Sequence, residues 1–173
     1  MLFVCTGNIC RSPMAERLAV AFGESRQLAD WTFSSAGTRA VIGSPIHPKA
    51  ASVLERLGGD PTAFEARQLT AKTAQHADLL LTMTERHRDY LLERMPSLLR
   101  RCFTLSEASL MASGQRIESL DCLSDLRSHI PAGRRGDVVD PIGQNDEVFA
   151  SVGLQIAELL DPVLQLCQRC SIE

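Results

Sequence analysis

The chain has 173 residues, 45% of them hydrophobic, and a formal net charge of −3 at pH 7. That length fits one domain with an ordinary core, and the mixed, slightly acidic charge offers nucleic acid no basic face. No apolar stretch approaches the roughly 20 residues of a membrane span, and the six cysteines show no disulfide-framework spacing.

In chain order, residues 2–5 predict a first strand and 13–23 a helix with Ala15, Leu18, Ala19 and Phe22 on one face. Because the first strand begins at the initial Met, no secretory leader is expected, and a cytoplasmic protein is. Residues 31–36 predict a second strand ending at Gly37. Pro48 opens a helix to about Leu57, where Gly58-Gly59 stops it. Thr70 caps a short helix to about Gln75, and 77–83 predicts a buried strand through Leu79-Leu80-Leu81. Thr84 caps the next helix, from Glu85 to about Arg94, with Pro96 beyond its end. Residues 101–105 predict a weaker fourth strand. Residues 106–136 predict a surface excursion of the same domain, with a short helix from Leu120 to Arg127 and a loop from Pro131 to Gly136. A long helix from about Asp146 to Gln168 follows, striped by Val148, Val152, Ile156, Leu159, Leu160 and Val163 and kinked or broken at Pro162.

This alternation predicts an α/β fold over residues 1–173: a three-layer, doubly wound, four-stranded parallel sheet with helices on both faces. The loop after the first strand then lies at the carboxyl edge, where such sheets bind ligands. That loop is Cys5-Thr6-Gly7-Asn8-Ile9-Cys10-Arg11-Ser12-Pro13. Gly7 and Asn8 are expected to carry the backbone through positive φ, so that successive amides point inward as an anion cradle. Ser12-Pro13 is expected to cap and open the helix, aiming its positive end at the same anion. A Cys and an Arg six positions apart mean little alone; set between a strand and a helix start, with Gly and Asn inside, they specify a phosphate-binding nucleophile loop. Cys5 would attack phosphorus as a thiolate, which the cradle amides, the helix end and Arg11 favour. The planar Arg11 fork can hold two phosphoryl oxygens. Asn8 would hold the curl with its side chain, and Ser12 would donate its hydroxyl to the thiolate.

The remaining chemistry-bearing residues are sparse. Cys102 and Cys122 fit small apolar packers. Cys167 and Cys170 have redox or metal spacing but no second pair to complete a site, and His47, His76, His87 and His129 are scattered. Neither a metal nor another cofactor is expected, and the sequence leaves oligomeric state open.

The loop from Cys5 to Pro13 resembles the signature of the low-molecular-weight protein tyrosine phosphatases. Ser35-Ala36-Gly37-Thr38, Ala66-Arg67-Gln68-Leu69-Thr70 and Asp140-Pro141 follow in the order that family requires, so the likeness spans most of the chain. The resemblance implies a phosphotyrosine-phosphatase-I-like fold, no metal, and a phosphocysteine on Cys5. It implies phosphate binding by residues Thr6, Gly7, Asn8, Ile9, Cys10, Arg11 and Ser12, with Asp140 as general acid and then as base toward water. It further implies that Cys10 is a reversible guard, pairing with Cys5 under oxidant; the alternative is that Cys10 packs behind the loop. Asp137 is expected to be a solvated loop residue.

Tyrosine-specific members carry aromatic walls after the Ser-Ala-Gly-Thr strand end and after Asp-Pro. Here those places hold Val41, Ile42 and Ile142, an aliphatic pocket that buries a ring but orients it less. Protein-arginine phosphatases share the loop and the aliphatic corner but carry Thr before the second Cys, where this chain has Ile9; the bulk of Ile9 favours a flat phosphotyrosine ring. Related arsenate reductases need further relay cysteines after the third strand, where Thr82, Met83 and Thr84 stand. A phosphate-binding module without activity would lose the nucleophile or the acid, and both are present. The expected partner is therefore a phosphorylated protein, with no nucleic acid and no membrane.

Overall fold

Alternate side chains of β1 (Leu2–Cys5) face opposite ways, and that alternation divides the interior into two. The computed structural model describes residues 1–26, 28–114, 119–120, 122–130 and 136–170. Within them β1, β2 (Ser34–Gly37), β3 (Leu80–Thr82) and β4 (Cys102–Thr104) form one sheet in the order β2-β1-β3-β4, every pairing parallel. The register sets Cys5 opposite Gly37, so the first two strands end together.

Phe3, Leu81 and Phe103 face the larger apolar cluster. Four long helices supply its other side: α1 (Arg11–Ser25) with Met14 and Leu18, α2 (Pro48–Arg56) with Val53 and Leu54, α5 (Leu105–Gly114) with Ala108 and Met111, and α7 (Asp146–Cys170) with Ile156, Leu160 and Leu164. Leu2, Val4, Leu80 and Cys102 face the smaller cluster, closed by Ala74 of α3 (Ala71–Gln75) and Leu91 of α4 (Glu85–Arg94). Helices therefore cover both faces, as the strand–helix alternation requires. Burying a side chain such as Phe3 or Phe103 contributes about 2–3 kcal/mol, which makes these the main anchors of the sheet. His47 caps α2, and the short α6 (Cys122–Leu126) adds Leu123 to the larger cluster. No helix among the described residues is long and apolar enough to cross a membrane.

Several expectations need correction. The second strand begins at Ser34 rather than residue 31, and the third is shorter than 77–83. The segment expected as a surface excursion from residue 106 opens instead with α5, buried at Leu105 through Ser109 and again at Met111 and Ala112. Even Glu107 is fully buried: its Oε1 pairs with Arg88 Nη1 at 2.5 Å, and its Oε2 accepts the Thr104 N–H at 2.9 Å. The short helix expected over 120–127 is α6 plus a 3-10 turn, and the Pro131–Arg135 part of the expected loop lies outside the described residues. Pro162 does not break α7, which runs unbroken through it. The carbonyl it deprives of a donor belongs to Glu158, on the exposed side of the helix where water can replace the bond.

Candidate active site

The loop that joins β1 to α1 is held from behind by a neighbouring strand of chain. The N–H groups of Thr38, Arg39 and Val41 donate to the carbonyls of Cys5, Thr6 and Gly7, each at 2.9 Å, and the His47 N–H donates to the Ile9 carbonyl at 2.8 Å. With its carbonyls turned outward, the loop leaves its own amides for the concave side, the arrangement that suits an anion. Gly37 allows this close approach, since a Cβ there would lie 2.5 Å from the Thr6 carbonyl oxygen.

Asn8 is the residue in the left-handed region, at φ 55, whereas Gly7 is not. Its buried side chain uses every polar atom: Nδ2 donates to Ser12 Oγ at 2.9 Å and Ser35 Oγ at 2.8 Å, and Oδ1 accepts the Arg67 N–H at 2.8 Å. Because Ser12 Oγ accepts from Asn8, its proton is free for Cys5 Sγ, 2.9 Å away. The Asn8 N–H also donates to Cys5 Sγ, at 3.3 Å. Ser35 Oγ donates to Glu16 Oε2 at 2.6 Å, and burial pushes the Glu16 carboxyl up against the pull of that bond. Ser12 thus does not cap α1, which starts at Arg11 with Cys10 as an N-cap that makes no side-chain bond. It serves the sulfur instead.

A cleft of about 460 Å³ opens over this loop, lined by Cys5, Thr6, Gly7, Ile9, Cys10, Arg11, Arg39, Val41, Asp140 and Ile142. Asn8 and Ser12 lie buried behind it rather than in its wall, and Ile42 is absent from the lining, exposed at 71%. Arg11 is buried, donates from Nη1 to the Val138 carbonyl at 3.1 Å, and from Nη2 contacts Asp140 Oδ2. The Asp140 side chain is half exposed, and its Oδ1 accepts the Ile142 N–H at 3.2 Å. A thiol with a hydroxyl and an amide donating to it, an arginine beside it and a carboxylate at the rim can bind an oxyanion, attack it and handle a proton. Burial, then the neighbouring Cys5, pushes the Cys10 thiol up to about 12, so it stays protonated at neutral pH.

Three residues escaped the sequence reading. Arg39 stands exposed in the cleft wall. Asp137, expected to be merely solvated, accepts the Glu85 N–H at the start of α4 at 2.8 Å. His87 is buried, with Nε2 2.8 Å from Thr6 Oγ1 and Nδ1 2.8 Å from Thr84 Oγ1. Burial first, then the Arg11 guanidinium, pushes His87 from its ordinary 6.5 down to about 4. An unfolded chain takes that proton near the upper value, so stability is full above it and falls as pH drops through the window, by about 3 kcal/mol over its span. Thermal melts between pH 7 and about 4.5 should therefore show wild type losing Tm faster on acidification than His87→Gln; parallel curves would contradict this.

Residues 1–116 match the family described as low molecular weight phosphotyrosine protein phosphatase. The chain belongs to that family. It is a phosphatase, from a family that acts on phosphorylated proteins. It is 32% identical to the protein-arginine-phosphatase of Geobacillus stearothermophilus over 97% of this chain and 95% of that one. It is also 31% identical to the low molecular weight protein-tyrosine-phosphatase PtpB of Staphylococcus haemolyticus, over 91% and 92% of the two chains. Among solved structures, the YwlE arginine phosphatase carrying a phosphorylated serine in place of its active-site cysteine superposes with a TM-score of 0.76. That match has 27% identity over 95% of this chain and 92% of the other.

Within this phosphatase, the segments around Ser35 and Arg67 brace the loop. Arg67 Nε donates to the Ser35 carbonyl at 2.7 Å, and the Gln68 side chain joins the Ala40 N–H and the Thr38 carbonyl at 3.0 Å each.

Proposed function

We propose that the protein hydrolyses phosphotyrosine on proteins through a phosphocysteine on Cys5. The observation that carries this reading is the Cys5 sulfur at the cleft floor, with Ser12 Oγ at 2.9 Å, the Asn8 amide at 3.3 Å, and Arg11 and Asp140 in the wall. An entering phosphoryl dianion competes with Asp140 for the Arg11 guanidinium and frees the carboxyl to face the leaving oxygen. Cys5 attacks phosphorus as the ester bond breaks; Asp140, released from Arg11 and protonated from solvent, gives that proton to the departing phenoxide and takes one from the attacking water in the second half, when the S–P bond breaks. Cradle amides and Arg11 hold the equatorial oxygens, and the Ser12 hydroxyl stabilises the sulfur as it leaves. The phosphorylated serine that replaces the active-site cysteine of the YwlE arginine phosphatase supports a covalent phosphoryl-enzyme in a site of this kind.

The phosphotyrosine choice rests on the cleft wall. Ile9, Val41 and Ile142 line it, apolar surface suited to a flat ring. One observation favours phosphoarginine instead: similarity along the full length to a protein-arginine-phosphatase. Phosphotyrosine, phosphoarginine and phosphoserine peptides compared on wild type and Ile9→Thr decide between them. Phosphotyrosine should be preferred by wild type, and Ile9→Thr should shift the ratio toward phosphoarginine about tenfold or more, as expected when a site gains a hydroxyl that a polar substrate can use. Faster phosphoarginine turnover by wild type would transfer the assignment.

Cys10 acts as the redox partner of Cys5. Peroxide oxidises the Cys5 thiolate to a sulfenic acid; the Cys10 thiol then condenses with it, forming S–S and releasing water. Peroxide-treated, alkylated protein should yield a Cys5–Cys10 linked peptide on digestion, and restored activity after dithiothreitol. An unlinked, irreversibly oxidised Cys5 would remove this role.

A further inference from the structure

The turn from Met83 to His87 touches both halves of the site. The Met83 carbonyl accepts the Val138 N–H at 2.8 Å, and the Glu85 N–H donates to Asp137 Oδ1 at 2.8 Å; both bonds hold the segment that carries Asp140. From the same turn, His87 reaches Thr6, the residue after the nucleophile. The carbonyls of Cys5, Thr6, Gly7 and Ile9 are clamped from the side of residues 38–47. Among the described residues, the Thr6–His87 contact is the hydrogen bond tying residues 5–10 to the β3–α4 side.

We propose that His87 is a positioning residue for the phosphate loop: braced by Thr84, it holds the Thr6 hydroxyl and keeps the cradle in register with the Asp140 segment. The inference rests on the phosphatase reading above. Its geometry is specific. Thr84 Oγ1 accepts the His87 N–H at 3.2 Å as the N-cap of α4 and lies 2.8 Å from Nδ1, which fixes the ring plane. The charges facing the ring are Arg11 of α1, Arg86 of its own helix, and Asp137 and Asp140 of the segment before α7. Burial and the arginines outweigh the carboxylates, so the ring is neutral near pH 7 and has one donor and one acceptor. With the Thr84 hydroxyl donating to Nδ1, Nε2–H donates to Thr6 Oγ1, and the Thr6 hydroxyl keeps its proton for an anion. The opposite tautomer spends that proton on the ring, so a bound oxyanion favours the first arrangement.

A plain structural role, in which the bond merely satisfies two buried polar atoms, makes a different prediction. The test uses His87→Ala, His87→Gln, Thr6→Val and the Ala/Val double variant, read by orthovanadate inhibition, kcat/KM for p-nitrophenyl phosphate, and calorimetric binding of inorganic phosphate. Removing either partner should weaken orthovanadate about tenfold, one hydrogen bond's worth. The double variant should be no weaker than the worse single, because both changes delete one interaction. His87→Gln should recover most of the loss, since its amide can donate where Nε2 does, and that recovery should vanish in a Thr6→Val background. Wild-type orthovanadate affinity in His87→Ala, losses that multiply in the double variant, or a Gln variant no better than Ala would each overturn the proposal. Thr6→Val preserves shape, so its comparison with His87→Gln stands even if His87→Ala does not fold. Should wild type bind phosphate yet hydrolyse no ester, the phosphatase reading fails, while the phosphate affinities of the variants still decide the part played by His87.

Discussion

Cys5→Ser should lower turnover of p-nitrophenyl phosphate by about 10³-fold or more while inorganic phosphate still binds within a few-fold of wild type. The separation follows from how the site is divided. In the proposed mechanism, binding draws on the loop amides, whose carbonyls are clamped by Thr38, Arg39, Val41 and His47, and on Arg11, anchored to the Val138 carbonyl. None of those contacts uses the sulfur. Turnover draws on a group that attacks phosphorus strongly and departs from it readily, and a serine hydroxyl does neither well. The Ser12 hydroxyl and Asn8 amide now directed at Cys5 Sγ would still meet an oxygen at that place, so the variant should keep its fold. Loss of phosphate binding together with turnover would mean that the loop had collapsed. Turnover within tenfold of wild type would exclude Cys5 as the nucleophile.

Asp140→Asn should cut kcat/KM about 10²- to 10³-fold for phenyl phosphate or a phosphotyrosine peptide, and far less for p-nitrophenyl phosphate. A nitrophenolate leaves with little help from a proton, whereas a phenoxide needs one as the bond breaks. The ratio kcat/KM reports formation of the phosphoenzyme, which isolates the acid role from the later attack by water. The structure adds a complication that the comparison of leaving groups removes. Asp140 also contacts the Arg11 guanidinium, so its replacement alters phosphate binding for every substrate alike. Only the proton role separates good leaving groups from poor ones. Equal losses across the series would assign Asp140 to charge balance with Arg11 instead of to acid catalysis.

Much of the fold was legible because its strongest signals are local. The apolar run Leu2–Val4, the Thr70 and Thr84 caps and the stripe of α7 each depend on neighbours a few residues away. The loop that lines the cleft was legible for the same reason: its thiol, turn residues and arginine lie within nine positions, Cys5 through Pro13. α5 was misjudged because it is buried nearly all round, Glu107 included, and a helix with no polar face shows no helical period. Ser12-Pro13 looked like a cap, but Asn8 and the Cys5 sulfur claim that hydroxyl once the loop curls. Ile42 looked like a wall, and its turn faces it outward, beside Gly43 at φ 77. His87 stood among four scattered histidines, and nothing local could mark it, since its partner Thr6 lies 81 positions away.

Rapid acid quench during turnover of a ³²P-labelled phosphotyrosine peptide tests the covalent step directly. Label should appear on the peptide containing Cys5, in an acid-stable, iodine-labile linkage typical of a phosphothioester, and should be missing from Cys5→Ser under the same brief mixing. Label on a histidine, or turnover with no labelled protein at any quench time, would contradict it.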